Sequence, residues 1–114
     1  MWEYVKFLEF PADVTRKDPD LAALIVTQFG GPDGELSASL RYLSQMYTMP
    51  IPEAKATLNN IGTEELAHFE IIGTLVYKLV SGVPADVIKQ TRFAPHYAKW
   101  GRANFPEDSS GNPF

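Results

Sequence analysis

Glu65 and His68 stand three residues apart on an apolar stripe, and they are the first residues in this 114-residue chain whose types and spacing suggest chemistry. On a helix, positions i and i+3 share a face with Cβ atoms roughly 5–6 Å apart, so both side chains can reach a single cation. Their neighbours on that face are apolar: Leu58, Ile61, Glu65, His68, Ile72, Leu75 and Leu79 follow at spacings of 3, 4, 3, 4, 3 and 4. A carboxylate on such a seam is costly unless it is paired or bound to a metal. The preceding helical segment offers another carboxylate, Glu35, which heads its own 3-4-3-4 seam through Ala38, Tyr42, Gln45 and Met49. Two-metal carboxylate sites in four-helix bundles take a Glu from each of two helices and a Glu-x-x-His from each of the other two. Glu35 with Glu65 and His68 is half of that set. Carboxylate and imidazole donors suit manganese or iron, and the chain has no cysteine to offer a competing thiolate.

Glu-x-x-His also recurs by chance on exposed helices, where it carries no meaning. The apolar seam and the matching Glu35 separate this instance from those. Tyr42, two turns from Glu35 on the same face, is either an ordinary core tyrosine or a partner whose hydroxyl bonds a ligand carboxylate. Glu64 and Glu70 lie off the seam and read as solvated. Asp33 beside Gly34 reads as a turn residue, Arg41 as a surface or interface residue, and His96, after Pro95, as an outlying candidate ligand.

The elements that must position these groups are helices. Residues 1–17 show no sustained period and read as an extended arm whose Trp2, Tyr4, Phe7 and Phe10 pack onto something. Asp18-Pro19-Asp20 is a helix start, with Asp18 as N-cap and Pro19 at the first helical position. Leu21, Leu24, Ile25 and Gln28 continue at helical spacing until Gly30-Gly31-Pro32-Asp33-Gly34 breaks the helix. It resumes at Glu35 and runs to about Met49. Pro50-Ile51-Pro52 then closes it and opens a second long helix over 53–80, which Ser81-Gly82 ends, with Gly82 in the left-handed position. Residues 84–90 allow one or two further turns. The tail over 81–114 is mostly irregular, with scattered aromatics (Phe93, Tyr97, Trp100, Phe105, Phe114) that suggest it is docked rather than free. The expectation is an all-α, single helical half-domain: a hairpin over 18–80 with a break at 30–34.

Bulk properties exclude several function classes. A net charge of −4 with no basic cluster argues against a nucleic-acid partner. No stretch approaches the roughly 20 apolar residues that span a bilayer, and the N-terminus shows no secretory signal. The expectation is therefore a cytoplasmic protein with no membrane partner. With 45% hydrophobic and 21% charged residues, disorder over the whole length is not expected.

Two stretches carry a resemblance. Gly30-Gly-Pro-Asp-Gly-Glu-Leu-Ser-Ala-Ser-Leu-Arg-Tyr42 and Ile61-Gly-Thr-Glu-Glu-Leu-Ala-His-Phe-Glu70 resemble the manganese catalase family, which includes related spore-coat proteins of Gram-positive bacteria. The resemblance covers roughly residues 1 to 100. It implies a ferritin-like four-helix bundle holding two manganese ions and the dismutation of hydrogen peroxide to water and dioxygen. It also implies that Glu35 is the bridging, catalytic carboxylate that handles protons. Glu65 and His68 become ligands to one manganese, and Tyr42 the tyrosine that hydrogen-bonds the bridging carboxylate. The alternatives are a non-catalytic structural subunit, such as a spore-coat component, and a ferritin-like oxidase or metal-storage protein using iron.

In the family, a Gly-Asn-Pro-aromatic segment, here Gly111-Asn-Pro-Phe114, leads into two more helices that carry the remaining ligands. Among these 114 residues the set is half complete. A homodimer or higher homo-oligomer would complete it, because two copies of Glu35, Glu65 and His68 give four carboxylates and two imidazoles. That is one carboxylate more than manganese catalase uses. The rival expectation is that the missing half lies on a separate chain, or on a longer form of this one from which it has been truncated.

Overall fold

Asp18 caps the first helix as its sequence context predicts. In the computed structural model, which describes residue 8, residues 10–96 and residues 110 and 112, helix α1 spans Pro19–Ile25 with Pro19 at its start. The Asp18 carboxylate accepts a 3.0 Å hydrogen bond from the Leu21 N–H, satisfying one of the free donors of the first turn. A four-residue helix, α2 (Thr27–Gly30), follows, and the chain then turns over Gly31–Gly34. The Gly34 N–H donates to the Gly31 carbonyl at 2.9 Å. A Cβ on Gly34 would stand 3.0 Å from the backbone of both Gln28 and Gly31, so this turn requires glycine. Two side chains of the next helix hold it closed: Ser37 Oγ donates to the Gly31 carbonyl and Arg41 to that of Pro32, each at 2.8 Å.

Helix α3 (Glu35–Gln45) tightens into a 3-10 turn at Met46–Thr48, and Met49-Pro50-Ile51 reverses the chain into α4. Helix α4 (Pro52–Val80) is 29 residues long and runs back along α3. Gly82 ends it at φ +81°, the left-handed conformation expected of it. One more turn, α5 (Ala85–Ile88), and a 3-10 turn at Ala94–His96 complete the described chain. No strand occurs among the described residues, so the fold is all-α. None of its helices is long and apolar enough to cross a membrane.

The core lies at the C-terminal end of α4. Val76, Leu79 and Val80 pack there with Ala22 and Val26 of the first helical segment, Ile88 of α5 and the fully buried Phe93. The last carbonyls of α4 are satisfied from the arm: Lys17 Nζ donates to the Lys78 carbonyl at 2.9 Å and the Asp18 N–H to that of Leu79 at 3.0 Å. Lys78 Nζ returns a 2.7 Å bond to the Ala12 carbonyl.

Packing departs from the simple hydrophobic pattern in three places. Leu21 and Leu24 are 42% and 58% exposed, because α1 turns the small residue Ala22 inward and so approaches α4 closely. Phe10 is 58% exposed rather than packed, while Trp2, Tyr4 and Phe7 lie outside the described residues. The 58–79 seam meets its own chain through Glu65 and His68, which reach Glu35, and through Leu79 in the core, but the tightest helix contact lies off it. That contact runs along Gly62, Phe69, Gly73, Val76 and Val80, about a quarter turn around the helix. A Cβ on Gly62 would meet Leu43 Cγ at 2.7 Å, and one on Gly73 would meet Phe29 at 2.9 Å. The missing Cβ atoms are what allow α3 and Phe29 to seat there, with Phe29 stacked on Phe69 at 3.9 Å between centroids. The tail is docked as far as it is described: Phe93 and His96 are buried, and the Arg92 N–H donates to Asp20 at 2.8 Å. Tyr97, Trp100, Phe105 and Phe114 lie outside the described residues.

Candidate metal centre

Glu35 is the first residue of α3, directly after the turn at Gly34, so its carboxylate sits at the positive end of that helix. Glu65 and His68 lie in the middle of α4, one turn apart. The antiparallel pairing of α3 and α4 brings the three together. One ligand atom from each, two carboxylate oxygens and an imidazole nitrogen, all fall within 4.8 Å of one another. His68 Nδ1 is 3.1 Å from Glu65 Oε2 and 3.7 Å from Glu35 Oε2. Among the described residues this is the one cluster of three such groups that could hold a metal ion.

The axial register of the two helices creates this convergence. Ser39, one turn beyond Glu35, is 2% exposed and donates from Oγ to the Gly62 carbonyl at 2.7 Å. Gly62 in turn lies one turn before Glu65. Sequence reasoning missed both residues, although a glycine in the middle of a 29-residue helix is itself a signal of close backbone approach.

The electrostatics are those of two carboxyls competing for one proton. A hydrogen bond with Glu65 raises the pKa of Glu35 from its ordinary value; partial burial and the Glu65 charge add to this, against the lowering pull of His68. The same bond lowers Glu65, and His68 and the more distant Arg41 act with it, while burial opposes them. Two partly buried carboxylates at this distance repel unless a proton or a cation lies between them. A divalent ion binds oxygen and nitrogen donors at roughly 2.0–2.2 Å, so two donors on one ion stand at most about 4.4 Å apart. The observed spacing needs a closure of only a few tenths of an ångström. The donor set, two carboxylates and an imidazole with no thiolate, fits manganese or iron.

The remaining polar candidates fall elsewhere. Tyr42 is half-buried on α3, and no hydrogen bond joins its hydroxyl to Glu35 among the described residues. Glu64 is exposed as expected, but Glu70 is half-buried beside the Phe29–Phe69 stack rather than solvated. His96 is buried with its ring 5.2 Å from that of Phe93, apart from the cluster. Arg41 is exposed and spans the turn before α3. The flank of α4 that carries His68 stays partly open: the His68 side chain is 37% exposed and Ile61 is 36% exposed.

Comparison with known proteins shows the family and the fold. Residues 1–114 match the family model described as manganese containing catalase. Protein CotJC of Bacillus subtilis is 42% identical over 114 residues, which is all of this chain and 60% of that protein. A probable manganese catalase of Clostridium acetobutylicum is 36% identical over 103 residues, 89% of this chain and 45% of that protein. Among solved structures, KatB, a manganese catalase from Anabaena, superposes with a TM-score of 0.75 at 30% identity, over 99% of this chain and 50% of that one. The chain thus spans about half the length of the catalases it matches. The fold shared with KatB is the ferritin-like helical one.

Proposed function

The chain belongs to the manganese-containing catalase family, and we propose that Glu35, Glu65 and His68 bind manganese in one half of a carboxylate-bridged dimanganese centre. When completed, that centre dismutates two molecules of hydrogen peroxide to two of water and one of dioxygen. The observation that carries this reading is the convergence of the three donors, from two antiparallel helices, within 4.8 Å. Manganese bound there supplies the two-electron redox change that the reaction needs.

The chain's own residues divide the remaining work. Glu65 and His68, fixed one turn apart on α4, orient the metal. Glu35, whose carboxyl in the metal-free chain holds its proton more tightly than usual, gives that proton up to become a ligand and brings the α3 side of the site onto the ion. Ile61, exposed on the flank that carries His68, excludes water once that side is covered. A second copy would cover it in a two-fold arrangement that shares the metal pair, and a further segment carrying the other ligands would do the same. A separate polypeptide carrying the other half would serve equally.

Purified protein loaded with Mn(II) should evolve dioxygen from hydrogen peroxide, with two ions per completed centre, and Glu65→Ala should abolish both. Light scattering with and without a chelator tests the shared site: the metal-loaded form should be dimeric through the His68 face. A monomer in both conditions, or a dimer joined elsewhere, would exclude it.

A second reading, a non-catalytic subunit such as a spore-coat component, has one observation in its favour. Identity is 42% to Protein CotJC but 33–36% to the relatives named as manganese catalases or probable ones. Metal binding without oxygen evolution would support it. Preferential loading with iron would point instead to an oxidase or storage role.

A further inference from the structure

Ser39 is a buried hydroxyl in an apolar helix contact, where alanine would avoid the cost of desolvating a polar group. Its hydroxyl donates to the Gly62 carbonyl, 2.7 Å away across the α3–α4 interface and 23 residues along the chain. That carbonyl lies within α4, so this contact adds a side-chain donor from a neighbouring helix to a backbone that is already helical. Leu43, one turn after Ser39, covers the same glycine: a Cβ at position 62 would lie 2.7 Å from Leu43 Cγ, 2.8 Å from Cδ2 and 3.2 Å from its backbone nitrogen. Two successive turns of α3 therefore straddle one residue of α4.

Both contacts depend on register. Sliding one helix by a single residue displaces it by about 1.5 Å and rotates its side chains by about 100°. The Ser39 hydroxyl would then lose its acceptor, and Leu43 would meet a Cβ. Glu35 lies four residues before Ser39 and Glu65 three residues after Gly62. Any slip at this contact is thus passed on undamped to the carboxylates one turn away. The other packing glycine, Gly73, receives Phe29 from before the turn, so it does not set the position of α3.

We propose that Ser39 and Gly62 form the positioning device of the metal centre: the hydroxyl–carbonyl bond and the missing Cβ fix the axial register that brings Glu35 against Glu65 and His68. This rests on the metal-binding reading for its function but not for its geometry, and the experiment separates the two. Mn(II) affinity would be measured by calorimetry on the full chain and on its Ser39→Ala, Gly62→Ala and Val80→Ala variants. All measurements would be made at a temperature where circular dichroism shows each to be folded. Val80 is fully buried but 15 residues from Glu65, about 22 Å along the helix, so it reports core damage alone.

Ser39→Ala and Gly62→Ala should each weaken Mn(II) binding by about tenfold or more, as loss of an outer support does. Val80→Ala should lower the melting temperature without moving the affinity. A second readout needs no metal. Because the chain has no cysteine, a Glu35→Cys/Glu65→Cys pair carries its only thiols, and the rate at which diamide joins them reports how closely the two positions are held. That rate should fall several-fold when Ser39→Ala is added and stay unchanged with Val80→Ala. If the parent chain binds neither manganese nor iron but the thiol pair still responds to Ser39→Ala, the positioning device stands and the metal reading falls. If Ser39→Ala and Val80→Ala act alike on both affinity and thiol closure, the proposal is overturned.

Discussion

The two ends of α4's inner half are built to different specifications. Toward the C-terminus, Val76, Leu79 and Val80 are closed in by α1, α5 and Phe93, and even the helix-end carbonyls have partners in the arm. About two to three turns before Val76, Glu65 and His68 sit on a helix held by small residues, a single buried hydroxyl and one open flank. Stability is concentrated where there is no chemistry, and the chemistry sits where packing is thin. A site that binds a cation between two carboxylates needs that arrangement, because its groups repel one another when the cation is absent.

Separate perturbation of the two regions gives the sharpest contrast. Phe93→Ala empties the centre of the core and should cost about 3–5 kcal/mol of unfolding free energy, read as a fall in the urea midpoint. Mn(II) bound per folded chain should be unchanged. A loss of metal binding in the fraction still folded would mean that the two regions are not independent. The converse variant, His68→Ala, should weaken Mn(II) binding by more than about 100-fold, beyond the range seen for loss of outer supports, with little change in metal-free stability. Glu64→Ala and Glu70→Ala should leave the affinity in place, and equal losses in all three variants would refute the assignment of ligands.

The smallest change in stability is expected from Glu35→Gln, which mimics the protonated carboxyl. Glu35, with its raised pKa, stabilises the fold below its unfolded pKa, and that contribution is lost as pH rises through the folded value. Glu65, with its lowered pKa, contributes in the opposite sense, losing stability as pH falls through its folded value. At pH 7 the substitution should therefore make the metal-free protein slightly more stable, by less than about 1 kcal/mol, while metal binding collapses. Mn(II) affinity of the parent should fall as pH drops into the carboxylate range, because the ion must displace the proton held by Glu35. A destabilised Glu35→Gln variant would show that the two carboxyls do not strain the metal-free fold.

Helix ends are legible in the sequence because capping chemistry is local. Asp18-Pro19, Pro50-Ile51-Pro52 and Gly82 each act through their own backbone, and each lies where its chemistry requires. The convergence of Glu35, Glu65 and His68 is legible too, since a 3-4 spacing on two segments joined by a short connection leaves few ways to pair them. Where on α4 the tightest helix contact falls is not. Hydrophobic periodicity marks every apolar stripe alike, and the contact here depends on Gly62, Gly73 and Ser39, which carry no hydrophobic signal. Leu21 and Leu24 mislead for the complementary reason: large apolar residues are read as interior, but Ala22 lets α1 come closer.

The connections also differ in how much chain each contact must wait for. Ser39 and Gly62 are 23 residues apart, while the Lys17–Lys78 and Lys78–Ala12 contacts close intervals of 61 and 66. The extra closure entropy for 61 residues over 23 is only about 0.9 kcal/mol. The hairpin, however, can zip from its three-residue link, whereas the latch needs both chain segments already formed. Folding should therefore run from the metal site outward, with the lysine latch fastening last. On a chevron plot, Ser39→Ala should slow refolding, and Lys17→Met should mainly speed unfolding.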